Sequence, residues 1–268
     1  MATGDLTSLV NVKAWLSPPL ATTADDGLLA RLITAASRMI LGYLQRPTLL
    51  AQSYNEIYDG NGNTVMTLRQ WPVTSIAALS VDGTAIMPSS PVPTGNGYLL
   101  EPWDGLSAGK PQTLALIGYA FNPNRQNVAV TYTAGYLVPG EIQTIPALAP
   151  YTLTTLRSWA ADNGVSYVNG VALTSVVANP AQGQYSVIAG TYSFNTADTG
   201  RAVTIAYSYL PGDIEQACIE LVALRYKERD RIGQISKSLS GETVSFAQKD
   251  MSDDIKTALQ PYRRIAPQ

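Results

Sequence analysis

The 268-residue sequence contains no histidine. That removes the commonest general base, the commonest zinc ligand and the usual serine or cysteine triad together. Carboxylate and lysine chemistry survive the loss, but the expectation is a protein that is not an enzyme. Cysteine occurs once, at Cys218, so no intramolecular disulfide framework can form. Charged residues make up only 14% of the chain, whereas about a quarter is usual. The net charge of −2 lacks the basic excess of a nucleic-acid-binding domain. No run approaches the roughly 18 consecutive apolar residues of a membrane span. Met1-Ala2-Thr3-Gly4-Asp5 shows no basic region leading into an apolar run, so no secretory signal is expected. These absences predict a soluble chain without membrane contact, part of whose surface is covered by something other than water.

What is present falls into three zones. The first and last are helical, and the middle, about residues 52–210, is rich in Gly, Pro, Thr, Val, Ser and Tyr and reads as β. A short helix over Leu9–Leu16 stops before Pro18-Pro19, which cannot continue it. A longer one starts at Asp25-Asp26 and carries Leu28, Leu29, Leu32, Ile33, Ala36, Met39, Ile40 and Tyr43 at three- and four-residue spacing, one broad apolar face ending near Arg46 before Pro47. Asp59-Gly60-Asn61-Gly62-Asn63 predicts a hairpin between Tyr54–Tyr58 and Thr64–Leu68. Short strands follow at Val73–Val81, Tyr98–Glu101, Leu114–Tyr119 and Val128–Tyr132, divided by the loops Pro88–Gly97 and Asp104–Pro111.

The chain then repeats itself. VAVTYTAGYLVPGEI begins at Val128 and VTIAYSYLPGDI at Val203, each a tyrosine-bearing strand followed by Leu, Pro-Gly, an acid and Ile. Two accounts remain open: coincidence, or a β region inserted between a strand and the helix that should follow it. Within that region a helix is expected over Leu153–Ala161, and alternating segments over Gly164–Asn169, Val171–Val177, Gly183–Ile188, Gly190–Phe194 and Ala202–Tyr207 predict a small β-sandwich or barrel. Asp213 is placed as N-cap of a final long helix. A second helix over Ser252–Tyr262 follows a polar link, Gln234–Gln248, containing a strand at Thr243–Phe246. Half of the 18 lysines and arginines and nearly half of the 20 acids fall after residue 210, as a solvated helix face or as a partner interface.

Candidate chemistry is sparse. Asp59, Asn61 and Asn63 resemble the opening of a calcium loop, but Thr64 stands where that loop needs Gly and Gln70 where it needs Glu. The pairs Asp25-Asp26 and Asp253-Asp254 lie at helix starts, where negative charge is favoured without any catalysis. Cys218 sits in an apolar helical stripe and reads as a buried small side chain. Fifteen tyrosines against three phenylalanines fit either a glycan or base-stacking platform or half-exposed strands at subunit contacts. No catalytic, metal or cofactor site is assigned.

LVNVKAWL, DDGLLARLITAASRMILGYLQRP and YDGNGNTVMTLRQWPVTSIAALSVDG, in that order, resemble segments of the head–tail connector (adaptor) proteins of tailed bacteriophages. VTYTAGYLVPGEI resembles the junction before that family's C-terminal helix, DIEQACIELVALRYKERDRIG the helix itself, and LQPYRRI its closing motif. The resemblance covers about residues 8–139 and 211–265; the stretch about 140–208 has no counterpart in the short family members. It implies an α+β fold: a connector core over residues 1–139 and 209–268, with N- and C-terminal helices and a β meander, interrupted by a β domain at 140–208. It also implies a structural neck subunit, found in the virion and assembled in the host bacterial cytoplasm. The ring it forms below the portal is expected to hold about 12 subunits. Its partners would be the portal protein and a stopper or tail completion protein, with genomic DNA passing through the channel without specific binding. By position Ile255, Leu259, Tyr262, Arg263 and Arg264 would form the portal interface. Competing readings are a β-rich virion protein that binds carbohydrate, a tail completion protein, or a hydrolase using Glu56, Glu101 or Glu141.

Overall fold

The computed structural model describes residues 4–90, 95–101, 112–229, 236–239, 242–245 and 251–264, the two four-residue stretches as backbone only. The chain is α+β and divides into two bodies. One is helical and comprises Met1–Thr48 and Gly212–Arg264; the other spans Leu49–Pro211 and is built from strands.

The helical body holds α1 (Leu9–Trp15), α2 (Asp26–Leu44), α3 (Gly212–Lys227) and α4 (Asp253–Leu259). In α2 the residues Leu29, Ile33, Ala36, Ile40 and Leu44 recur on one stripe, and all are buried. Burying its leucines and isoleucines stabilises by about 1.5–3 kcal/mol each. Gln45 ends the helix in left-handed conformation (φ 55°) and donates its N–H to the Gly42 carbonyl, while Arg46 donates to Leu41. α2 is long and apolar enough to cross a membrane by length and composition, yet its apolar stripe packs on α3 as a core helix does. α3 buries Ile214, Ala217, Cys218, Ile219, Leu221, Val222 and Ala223. It touches α1, α2 and α4, which accounts for apolar residues beyond a single face.

The helix caps differ from expectation. Asp25 occupies the N-cap position of α2 without making a side-chain cap hydrogen bond. Its carboxylate instead accepts from Tyr226 Oη and lies 3.5 Å from Arg229 Nη1, tying α2 to the end of α3. Asp26 pairs with Lys13 Nζ at 2.7 Å, tying α2 to α1. Ser252, rather than an aspartate, caps α4. Asp213 falls inside the first turn of α3. A hairpin of β15 (Ser236–Leu239) and β16 (Glu242–Ser245) precedes α4, where one strand is expected at Thr243–Phe246. Phe246, the rest of the polar link, and most of the loops 88–97 and 104–111 lie outside the described residues.

The β body contains two sandwiches. In the first, β1 (Gln52–Gly60), β7 (Asn124–Ala134), β3 (Val73–Val81) and β4 (Thr84–Ala85) form one sheet in the order β1-β7-β3-β4. It packs on a sheet of β2 (Val65–Thr67), β6 (Thr113–Ile117) and β5 (Gly97–Glu101) around Tyr58, Met66, Leu79, Leu114, Phe121 and Val130. Asp82 and Gly83, at φ 50° and 78°, close the β3–β4 hairpin as a two-residue turn whose twist suits antiparallel strands. The Asp59–Asn63 segment makes no such hairpin. β1 pairs with β7 and β2 with β6, so the segment carries the chain from one sheet to the other. Its glycines serve close approach: a Cβ on Gly60 would lie 1.8 Å from the Asn122 carbonyl oxygen.

The second sandwich joins β10 (Trp159–Tyr167), β14 (Ala202–Tyr209) and β8 (Leu137–Thr144) with β11 (Thr174–Ser175), β12 (Gln184–Ile188), β13 (Thr191–Phe194) and β9 (Thr152–Thr154). This realises the expected small β-sandwich. The helix expected at Leu153–Ala161 is absent, because Leu153 enters β9 against Tyr192 and Trp159 opens β10 against Tyr209. Strand pairing with distant segments overrode a local helical pattern. Pro139-Gly140 also departs from expectation. It lies within β8, on the outer strand of its sheet, where proline is tolerated, and not in a turn.

Candidate functional site

The two copies of the repeated motif occupy equivalent places. β7 is the central strand between β1 and β3, and β14 the central strand between β8 and β10. Val128, Val130 and Tyr132 in one, and Val203, Ile205 and Tyr207 in the other, are fully buried in strict alternation. Tyr132 Oη donates to Glu56 Oε2 at 2.7 Å and accepts from the Gln70 N–H at 3.2 Å. Tyr207 Oη donates to Glu141 Oε2 at 2.5 Å and accepts from the Arg157 N–H at 3.2 Å. In both sheets the glutamate sits on the neighbouring strand opposite the residue two before the tyrosine: Glu56 faces Val130 and Glu141 faces Ile205. One polar device thus closes both cores.

Other carboxylates of the β body are used in the same way. Asp162 accepts from Tyr185 Oη at 2.6 Å and Tyr192 Oη at 2.9 Å, joining the two sheets of the second sandwich. Asp198, fully buried, accepts from Tyr167 Oη at 2.7 Å and the Gly183 N–H at 2.9 Å, with Arg201 Nη1 at 3.8 Å. Sequence reasoning missed both aspartates, since their partners are 15 to 31 residues away and form no motif. Burial, and next the hydrogen bond to a carboxylate, push the Tyr185 and Tyr207 hydroxyls up to about 12. Tyr58 is raised to about 12 for the same reasons, with Glu56 as the carboxylate. Tyr132 is raised further, mainly by burial.

The tyrosines divide into two groups, and Tyr54, Tyr98 and Tyr167 are half-buried on strands as expected. Tyr58, Tyr132, Tyr136, Tyr185, Tyr192, Tyr207 and Tyr209 are buried, so these seven offer no ring face to a glycan or base. Glu56 and Glu141, considered as catalytic acids, are bound by tyrosines of their own sheets. The oxygens of the calcium-like segment are engaged by main-chain groups: Asp59 Oδ1 by the Gln126 N–H and Asn61 Oδ1 by the Asn63 N–H. Cys218 is buried beside Ser37 Oγ, and burial raises its thiol to about 11. An open cleft of about 530 Å³ lies near Ile57, Asp59, Met66 and Gln126, with the Arg69 guanidinium over the Tyr58 ring at 4.3 Å.

The five residues singled out in the C-terminal segment separate into two groups. Ile255, Leu259 and Tyr262 are buried within the helical body, and Tyr262 Oη donates to Asp213 Oδ2 at 2.9 Å. Arg263 is exposed, with its guanidinium 5.6 Å from the Tyr43 ring centroid; Arg264 is half-buried and donates its N–H to the Leu44 carbonyl. The fold brings the five together on α4 and the turn after it, but turns three of them inward.

Residues 160–265 match the family model HCP, head completion protein. The match begins at the start of β10 and runs through α3 and α4. No curated protein matches the chain. A solved structure, the neck of an empty GTA particle computed with C6 symmetry, aligns over 99% of this chain and 93% of that chain, with a TM-score of 0.37 and 14% identity. What the chain is similar to is therefore given by the family model alone. Within its last two-fifths the likeness is to head completion proteins in particular.

Proposed function

We propose that the protein is a structural subunit of a phage neck, forming a ring below the portal that extends the DNA channel and joins head to tail. The observation that carries this is the head completion match over residues 160–265, together with the connector-like motif order before it. The site geometry supports it. Glu56, Glu141, Asp162 and Asp198 each accept from tyrosine hydroxyls that close a core, which suits scaffolding. The weakly acidic, sparsely charged chain suits a conduit, because phosphate contacts would retard passing DNA.

In this reading the portal and a stopper or tail completion protein are the partners, the ring holds about 12 subunits, and the protein resides in the virion after assembly in the host cytoplasm. Residues 140–208 are an added β domain on a connector core of 1–139 and 209–268. Arg263 and Arg264, not the inward-facing Ile255, Leu259 and Tyr262, offer the portal contact as the body is folded. Ile255, Leu259 and Tyr262 would join that contact only if α4 were released.

Native mass measurement and electron microscopy of the purified protein, alone and with portal, test the reading. Rings in solution or at the portal are expected, along with the protein in the necks of particles. A monomer at every concentration that is also absent from particles would overturn it.

A further inference from the structure

Sheet edges are the places where a β protein either protects itself or recruits another strand. In the β body almost every edge is protected. Asn61 Nδ2 donates to the Val65 carbonyl on β2 at 3.0 Å. Gln112 Nε2 and Tyr98 Oη donate to the Val73 and Ile76 carbonyls of β3. β5 exchanges hydrogen bonds with Met87 and Ser89 through Tyr98. β10 is covered by Val171 and Leu173 and broken by two bulges. β11 and β9 have two and three residues.

Among the described residues two long edges remain, β1 of nine residues and β8 of eight, each ending its sheet and each with one register shift near an end, beside Gly60 in β1 and beside Pro139 in β8. They are the equivalent strands of the two sheets, since each carries the glutamate that receives the central tyrosine. Each also exposes one isoleucine, Ile57 at 52% and Ile142 at 67%. Arg69 Nη1 donates to the Ile57 carbonyl at 3.1 Å, so this group faces away from β7, and an incoming strand would displace the arginine.

We infer that β1 of one copy pairs edge to edge with β8 of a second copy, and that this contact builds the ring. The inference rests on the ring proposed above. Antiparallel pairing with Ile57 opposite Ile142 sets Asn55 opposite Thr144 and Asp59 opposite Gly140. No two charges meet, and none must leave water without a partner. The inner residues, Glu56 and Tyr58 on one strand and Glu141 and Gln143 on the other, stay on the same side, so the joined sheet keeps both cores under one face. Pairing of two different edges is heterologous and propagates until it closes, whereas β1 against β1 would stop at a dimer.

The test is a full-length chain carrying both Ile57→Cys and Ile142→Cys. Directly opposed strand residues lie within disulfide reach, and Cys218 is buried, so background cross-linking is low. Mild oxidation should give a ladder of covalent multimers ending at the ring, and neither single variant should do so. Ile57→Lys, with circular dichroism confirming the fold, should weaken assembly about tenfold or more. If the double variant forms rings without cross-linking and Ile57→Lys assembles normally, the edge contact is wrong while the ring stands. Cross-linked dimers from Ile57→Cys alone would replace it with an isologous contact. Failure of the unsubstituted chain to assemble anywhere would remove the ring and this contact together.

Discussion

Tyr132 and Tyr207 show how single side chains set the strength of this fold. Each is fully buried, donates to a glutamate on the neighbouring strand and accepts one main-chain N–H. Removing the hydroxyl leaves both partners short of a bond in a low-dielectric setting, which costs about 1–3 kcal/mol. Tyr132→Phe and Tyr207→Phe should each lower stability by that amount in urea unfolding, and equality with the unsubstituted protein would contradict the device. The β12–β13 turn offers a contrast. Ala189 is left-handed (φ 47°), which an alanine adopts with strain, and Gly190 follows at φ 83° with Trp159 Cβ 2.7 Å from where its own Cβ would stand. Ala189→Gly should therefore stabilise by about 0.5–1 kcal/mol, relief of strain outweighing the added unfolded-state entropy. Gly190→Ala should destabilise, and thermal melts of the two variants should shift in opposite directions.

Among the elements, α4 carries the sharpest consequence. Leu259 has no exposed surface and Ile255 very little, so the helix is part of the helical core and not a free arm. Leu259→Ala should cost about 2–5 kcal/mol through lost burial and the cavity left behind. Arg263→Glu should leave stability within about 0.5 kcal/mol, since exposed positions tolerate change, while reducing the portal binding proposed for this segment. Truncation at residue 252 would strip a packed face, so charge reversal is the cleaner probe of docking. The helix periodicities of α2 and α4 were legible in the sequence because the 3.6-residue repeat is local. The strand partners of Tyr54–Tyr58 were not, because Asp-Gly and Asn-Gly turns specify a reversal without specifying which strand comes next.

At the scale of the whole molecule, its response to pH follows from the buried phenols. Tyr58, Tyr185 and Tyr207 are raised to about 12 from an unfolded value near 10, and Tyr132 and Tyr192 are also raised. A folded-state pKa above the unfolded one contributes stability in full below about pH 10 and loses it as pH climbs through about 12. Unfolding on alkaline titration should coincide with a late step of tyrosinate absorbance from these five phenols; completion of all tyrosinate absorbance near pH 10 with the fold intact would contradict the burial. What the sequence by itself determined was the α+β class, the helix stripes, most strand positions and the doubled tyrosine strand, all properties of spacing along the chain. The connector resemblance was legible there too, from motif order. Tertiary structure alone decided that the tyrosines turn inward onto Glu56, Glu141, Asp162 and Asp198, that α4 folds into the helical core, and that β1 and β8 are left as edges. Those outcomes depend on which distant strands share a sheet, and loop closure over tens of residues leaves no local signal of that choice.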